Sequence, residues 1–216
     1  MYAIERSLRF VRAALVAYGP SFAKKWIWDR EYTWGKWNFN DETADDCVYP
    51  YLERYARGGS ILDLGCGSGN TSTELKASAY KSYLGVDISE ACLEKARKRT
   101  QMAGRVGKNT FVRGDFLEFV PACHFDLILF RESMYHVPMG KIPATLRRYS
   151  RCLTKHGVFV IRLFTFDKGK TLNRPSAMLR LIESQFEVAE RGEHRYRGGE
   201  QAAVVVLVIR PQPRPD

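Results

Sequence analysis

The stretch ILDLGCGSGN, residues 61–70, decides how the rest of the chain is read. A short apolar run enters three glycines at alternate positions, Gly65, Gly67 and Gly69, and a helix-compatible segment follows. Glycine permits tight turns and lets a ligand approach the main chain. At a strand-to-helix turn the free N–H groups face a polar ligand. Eighteen residues beyond Gly69 stands Asp87, at the end of the apolar run YLGVD. An acid at about that distance is placed to accept from ribose hydroxyls. Strand, glycine loop, helix, strand and acid in this order predict a nucleoside-bearing ligand.

The dinucleotide fingerprint G-x-G-x-x-G fails at its last position. Counted from Gly65 that position is Asn70, where close helix–strand packing asks for glycine. An NAD-dependent reductase is therefore disfavoured. No lysine follows the loop, which excludes a P-loop.

Outward from the loop, apolar runs at 60–64, 83–87, 110–113, 125–130 and 158–164 read as strands. Helical patterns fall at 70–78, 89–102 and 143–153, with Ser89 as a helix cap. Such alternation predicts a parallel sheet covered on both faces. Residues 186–190 and 202–210 read as a closing antiparallel hairpin, with its turn between Gly192 and Gly199. The fold expected is α/β, a mainly parallel seven-stranded Rossmann-like sheet. Residues 1–57 are expected as a helical, aromatic cap and 58–212 as the core of the same domain. In the cap, a helix over 3–16 is broken at Gly19-Pro20, and an aromatic-rich stretch from Trp26 to Phe39 follows. An acidic cluster, Asp41, Glu42, Asp45 and Asp46, opens a further helix ending near Arg57.

With these motifs in place, the chain resembles the class I S-adenosylmethionine-dependent methyltransferases. DLGCGSG (63–69) is similar to their first motif. The resemblance continues at Asp87-Ile88, Gly114-Asp115-Phe116, FDLILF (125–130) and Gly157, and covers about residues 55–210. It implies S-adenosyl-L-methionine as cofactor and S-adenosyl-L-homocysteine as product. It also implies that Asp63 orients the glycine loop near the methionine amino group, with Gly65, Cys66 and Gly67 giving the backbone that meets the cofactor. Asp87 would hold the ribose and Ile88 would pack on adenine. Asp115 would accept from the adenine amine, with Phe116 against the ring. EYTWGKW (31–37) resembles a Tyr-x-x-Gly-x-Trp segment of some small-molecule methyltransferases, which implies Tyr32 and Trp37 in a lid over the cofactor.

In open parallel sheets ligands bind beyond the carboxyl ends of the strands. Residues 131–136, RESMYH, follow the fourth strand and are expected beside the transferable methyl group. Arg131 is expected at the cofactor. His136 is the candidate general base, because imidazole titrates near neutral pH, with Glu132 and Tyr135 assisting. The segment lacks the Asn/Asp-Pro-Pro-Tyr/Phe set of amino-methylating DNA and protein-glutamine enzymes and the Pro-Cys used to attack pyrimidines. No metal set is expected.

The 216 residues suit one domain. A net charge of +10 favours acidic partners, so an RNA substrate stays open beside a small or medium-sized acceptor methylated on O or N. A non-catalytic protein that binds the cofactor is the remaining alternative. The five cysteines, Cys47, Cys66, Cys92, Cys123 and Cys152, lack C-x-x-C spacing and suit a reducing, cytoplasmic setting. No apolar run spans a bilayer. Residues 4–28 interleave basic and apolar residues, a pattern open to peripheral membrane contact or to packing on the domain itself. Among the basic clusters, Arg191, Arg195 and Arg197 at the hairpin are candidates to touch an acidic substrate. The oligomeric state is not legible.

Overall fold

The computed structural model describes residues 2–38, 43, 45–165, 174–195 and 203–211, with side chains from Phe10 onward. Phe39, Asp41, Glu42 and Arg197 lie outside the described residues, as do the end of the expected hairpin turn and Ala202.

Seven strands form one sheet: β1 (Ser60–Leu64), β2 (Ser82–Asp87), β3 (Asn109–Arg113), β4 (Phe125–Arg131), β5 (Leu153–Phe164), β6 (Glu187–Arg195) and β7 (Ala203–Arg210). Their order is β3-β2-β1-β4-β5-β7-β6. The first five are parallel, and β7 pairs antiparallel with both β5 and β6. The strand order reverses between β1 and β4. That reversal opens a crevice at the carboxyl ends, the place where such sheets take ligands.

Side chains of β4 and β7 alternate between two apolar clusters, because successive residues of a strand point to opposite faces. Ile128, Phe130, Val205 and Leu207 face one cluster, which includes Leu146 and Tyr149 of α6 (Ile142–Ser150) and Met178 and Ile182 of α7 (Pro175–Glu183). Leu127, Leu129, Val204 and Val206 face the other, with Leu52 of α3 (Tyr49–Ala56) and Leu93 of α5 (Glu90–Met102). Burial on both faces explains why these strands read as continuous apolar runs.

Several local expectations are corrected. The aromatic-rich stretch, to which the sequence reading gave no helix bounds, is largely helical. After α1 (Tyr2–Tyr18) and the break at Gly19-Pro20, residues Ser21–Thr33 form helix α2. Its aromatic side chains obscure the pattern because they point to both solvent and protein. The helix expected over 70–78 is α4, Asn70–Glu74 only. Gly192 lies inside β6 opposite Val206, so the strand runs beyond the expected start of the turn, to Arg195. The helix α7 had no counterpart in the sequence reading, although Pro175 at its start and Met178, Leu179 and Ile182 on one face carry the signal. No helix among the described residues is long and apolar enough to cross a membrane.

Candidate active site

The glycine loop leaves β1 with its N–H groups committed to a tight course. The Gly65 and Cys66 N–H groups both donate to the Val86 carbonyl, at 2.8 and 3.1 Å. Gly65 (φ 81°) and Gly67 (φ 53°) sit in the left-handed region, which L side chains rarely adopt. Space excludes side chains as well. A Cβ on Gly65 would lie 2.5 Å from Ser133 Cβ, and one on Gly67 would lie 2.9 Å from the Tyr32 hydroxyl.

Asp87 closes the loop from the next strand. One of its oxygens accepts from Gly67 N–H at 2.9 Å and the other from Ser89 N–H at 3.0 Å. Burial raises its pKa against those bonds. Asp63, at the centre of the sheet, accepts from the Tyr83 hydroxyl at 2.5 Å through Oδ2, while its buried Oδ1 has no partner. Burial pushes its pKa up to about 6, with the Tyr83 bond opposing. Ser133 Oγ, against Gly65, is also buried and unpaired. Buried polar atoms are usually satisfied, so an unpaired acceptor beside a glycine loop suits a donor brought by a ligand.

Helix α2 crosses the carboxyl ends of four parallel strands and touches the segment beyond each. Lys24 Nζ pairs with Asp115 Oδ2 beyond β3, at 2.9 Å. Asp29 accepts from the Ser89 hydroxyl at 2.8 Å and from Ala91 N–H at 3.3 Å, beyond β2. Tyr32 stands over Gly67 beyond β1. The Trp28 and His136 rings meet edge to face beyond β4, with centroids 4.9 Å apart. Glu31 ties the cover to itself. It pairs with Arg12 of α1 and Lys36, both at 2.5 Å, and accepts from the Trp37 indole at 3.1 Å. Burial would raise the Glu31 pKa, but these bonds outweigh it and leave the carboxyl lowered. Trp37 packs on Trp28, at 5.5 Å between centroids. A cleft of about 290 Å³ between the end of α2 and α5 shares Tyr32 with the glycine loop but is not lined by Asp63, Asp87 or Asp115.

The 131–136 segment is held from several sides. Arg131 donates to Asp46 at 2.7 Å and to the Tyr49 and Thr71 hydroxyls at 3.2 Å. Asp46 also takes Arg162, and burial of its carboxyl is outweighed by the two guanidinium groups, so its pKa is lowered. Glu132 turns in the left-handed region (φ 56°) and pairs with Arg162 Nη1 at 2.5 Å. Burial raises its pKa, with Arg162 opposing. The Tyr135 hydroxyl donates to the Phe164 carbonyl at 2.7 Å. Burial pushes the His136 pKa down to about 4, and the Arg12 guanidinium adds to that shift. The imidazole is therefore neutral around pH 7.

The expected residues separate by surroundings. Asp63, Gly65, Cys66, Gly67, Asp87 and Tyr32 gather at the loop. Ile88 is half-buried just past Asp87, with its carbonyl accepting from Arg113 Nε at 3.3 Å. Phe116 packs edge to face on Phe130 at 6.0 Å and reaches within 3.7 Å of a Cβ on Gly65. Asp115 is engaged by Lys24 and by Leu117 N–H, at 2.9 Å each. Arg131 bonds Asp46, Tyr49 of α3 and Thr71 of α4, the helix that follows the glycine loop, and Trp37 packs on Trp28. Sequence reasoning gave no role to Lys24, Trp28, Asp29, Asp46, Ser133 or Arg162. Their partners are 60 or more residues distant in most cases, and no local pattern marks such pairings. Arg191 of the hairpin cluster pairs with Glu183 and Glu193.

Residues 61–157 match a family model described as a methyltransferase domain. The chain is 31% identical over 147 residues to a trans-aconitate 2-methyltransferase of Acidovorax sp. (strain JS42), covering 67% of this chain and 51% of that protein. It is 34% identical over 154 residues to a ubiquinone biosynthesis O-methyltransferase of Actinobacillus pleuropneumoniae, covering 68% and 62%. The chain spans about half the length of the first curated relatives it matches. Among solved structures, the N-methyltransferase NodS of Bradyrhizobium japonicum, in complex with S-adenosyl-L-homocysteine, superposes with a TM-score of 0.64 at 18% identity. That superposition covers 82% of this chain and 92% of NodS, and it speaks to the fold.

Proposed function

Since the chain belongs to the class I family of S-adenosylmethionine-dependent methyltransferases, we propose that it methylates an O or N atom of a small or medium-sized acceptor. The observation that carries this reading is the convergence of Asp63, Asp87, Asp115, the glycine loop and His136 under α2, at the reversal point of the sheet.

The residues present fit the cofactor. The unpaired Asp63 Oδ1 supplies an acceptor near the loop for an amino group or a water bound to it. Asp87 keeps lone pairs for ribose hydroxyls beyond those given to Gly67 and Ser89. Ile88 and Phe116 offer apolar surface to a flat base, and Asp115 accepts from its amine once Lys24 withdraws. Tyr32 covers the loop, and Trp37 supports that cover through Trp28. Arg131 ties the end of β4 to Asp46, to α3 and to α4, the helix that follows the glycine loop. When bound, the cofactor supplies an electrophilic methyl on a positive sulfur.

Displacement at such a methyl needs alignment and exclusion of water more than covalent help. α2, lying over the strand ends, serves the exclusion. His136, neutral around pH 7 though a weaker base than free imidazole, would accept at a ring nitrogen the proton that an acceptor hydroxyl or amine releases as its bond to the methyl forms. Glu132 and Tyr135 position the segment through Arg162 and the Phe164 carbonyl. Two relatives named as O-methyltransferase and trans-aconitate 2-methyltransferase support a small acceptor. RNA is the second reading, favoured by the charge of +10.

The test is transfer of labelled methyl from the cofactor into a cell extract divided into metabolites, lipids, RNA and proteins, with Asp87→Ala as control. Label in the metabolite or lipid fraction, lost in the variant, is the expected result. Label in RNA replaces the small acceptor. Cofactor binding without any transfer favours the non-catalytic alternative.

A further inference from the structure

Eleven large hydrophobic side chains are exposed among the described residues, and seven of them lie between Phe10 and Trp34. All five exposed aromatic residues in that set are there. The apolar fraction of an ordinary surface is scattered, so this concentration asks for a partner.

The helices organise it. On α1, Phe10, Val11, Leu15 and Tyr18 follow helical spacing along one face, while Val16 and Ala17 are buried on the other. On α2, Phe22 and Trp26 stand four residues apart, and Trp34 continues the row just beyond the helix. The two rows meet at the Gly19-Pro20 corner, where Tyr18 is 67% and Phe22 75% exposed. Arg30 lies in the same row. Its guanidinium stacks 5.0 Å from the Trp26 ring centroid and 3.9 Å from that of Trp34.

The exposed charge on α2 has one sign. The acids of α2 turn inward: Asp29 bonds Ser89, Ala91 and Arg113, and Glu31 bonds Arg12, Lys36 and Trp37. The exposed charges left on the helix are Lys25 and Arg30. Two copies of this chain meeting through the face would bring these cations together, which disfavours a self-association surface. An anionic surface is complementary. Tryptophan, tyrosine and arginine beside aliphatic residues are the side chains that settle at the boundary between lipid headgroups and acyl chains.

We propose that the outer face of α1 and α2 docks on an anionic phospholipid bilayer, with Phe22, Trp26 and Trp34 entering the headgroup boundary and Lys25 and Arg30 pairing with lipid phosphates. The inference rests on exposure and charge and is independent of methyl transfer. Because α2 also lies over the strand ends, the docked face sits on the back of the site's cover.

The experiment is sedimentation of the full chain with vesicles of phosphatidylcholine alone and of phosphatidylcholine with phosphatidylglycerol. The expected result is binding to the anionic vesicles, weakened by salt, with little binding to the neutral ones. The fluorescence of tryptophan should shift to the blue only with the anionic set. Phe22→Ser with Trp26→Ser should lower partitioning at least about tenfold, and Lys25→Glu with Arg30→Glu about thirtyfold or more, from roughly fivefold per basic residue neutralised. Unchanged thermal melting would show that both variants fold, as their exposed positions predict. The proposal fails if anionic vesicles do not bind, if neutral vesicles bind equally, or if folded variants bind like the parent. It also fails if the face instead mediates a dimer that the same substitutions dissociate.

Discussion

Lys24 Nζ lies 2.9 Å from Asp115 Oδ2, and the two side chains keep only 10% and 8% of their exposure. A helix from the first residues of the chain thus neutralises an acid that follows the third strand, at the place where the resemblance puts the adenine amine. A ligand amine and the Lys24 ammonium compete for the same oxygen.

Replacing Lys24 with methionine tests that competition. The variant should bind S-adenosylmethionine on the order of tenfold more tightly, the worth of about one freed hydrogen bond. It should also be less stable by about 3 kcal/mol, because a buried carboxylate loses its counter-ion. Titration calorimetry and thermal melting give the two quantities. Unchanged affinity would mean that Asp115 does not serve the cofactor.

Asp87→Ala removes the acceptor of two backbone N–H groups, those of Gly67 and Ser89. Each N–H left buried and unpaired costs about 1–3 kcal/mol. The loop should lose its course, and cofactor affinity should fall at least about a hundredfold while the sheet persists. Wild-type affinity in a calorimetric titration would count against the site.

The pH behaviour of His136 has a definite sign. Its folded pKa of about 4 lies below the ordinary value of 6.5, so the unfolded chain binds the proton more readily. Stability from this group is present above about pH 6.5 and is lost as pH falls toward 4, at up to about 1.4 kcal/mol per pH unit. Asp63, raised from 3.8 to about 6, works the other way, losing stability as pH rises through that window. The His136 part is therefore read as the difference between parent and His136→Phe in denaturant titrations from pH 4 to 7. The parent's stability relative to the variant should fall as pH falls from 6.5 toward 4. In activity, His136→Ala should lower kcat about 10²–10⁴-fold, and the parent should show no inflection near 6.5. An inflection there would contradict the buried, neutral imidazole.

Asp46 lies between Arg131 and Arg162, with Oδ2 2.7 Å from Arg131 Nη2 and 3.2 Å from Arg162 Nη2. Asp46→Asn leaves Arg162 with Glu132 and takes the paired carboxylate from Arg131, whose other bonds are to the Tyr49 and Thr71 hydroxyls. The expected loss is about 3–5 kcal/mol, or roughly 6–20 °C in melting temperature for a chain of this size. Scanning calorimetry decides it, and a loss below 1 kcal/mol would show the network to be solvent-screened.

The sequence by itself determined the sheet and the loop. Glycines at 65, 67 and 69 after an apolar run mark a tight turn that other residues rarely follow, and strands buried on both faces announce themselves as unbroken apolar runs such as FDLILF. Asp87 was legible for the same reason, since its distance from the loop is fixed by one helix and one strand. What covers the site was decided only by the tertiary structure. Lys24 with Asp115, Asp29 with Ser89 and Trp28 with His136 join positions far apart in the chain, and no periodicity connects them. The same holds for Glu132, Tyr135 and Arg131, whose residue types suggested chemistry until Arg162, Phe164 and Asp46 were found at their polar ends. Local pattern fixes backbone course because it acts between near neighbours. The partner of a charged side chain depends on which distant segment folds over it, and that is a property of the assembled structure.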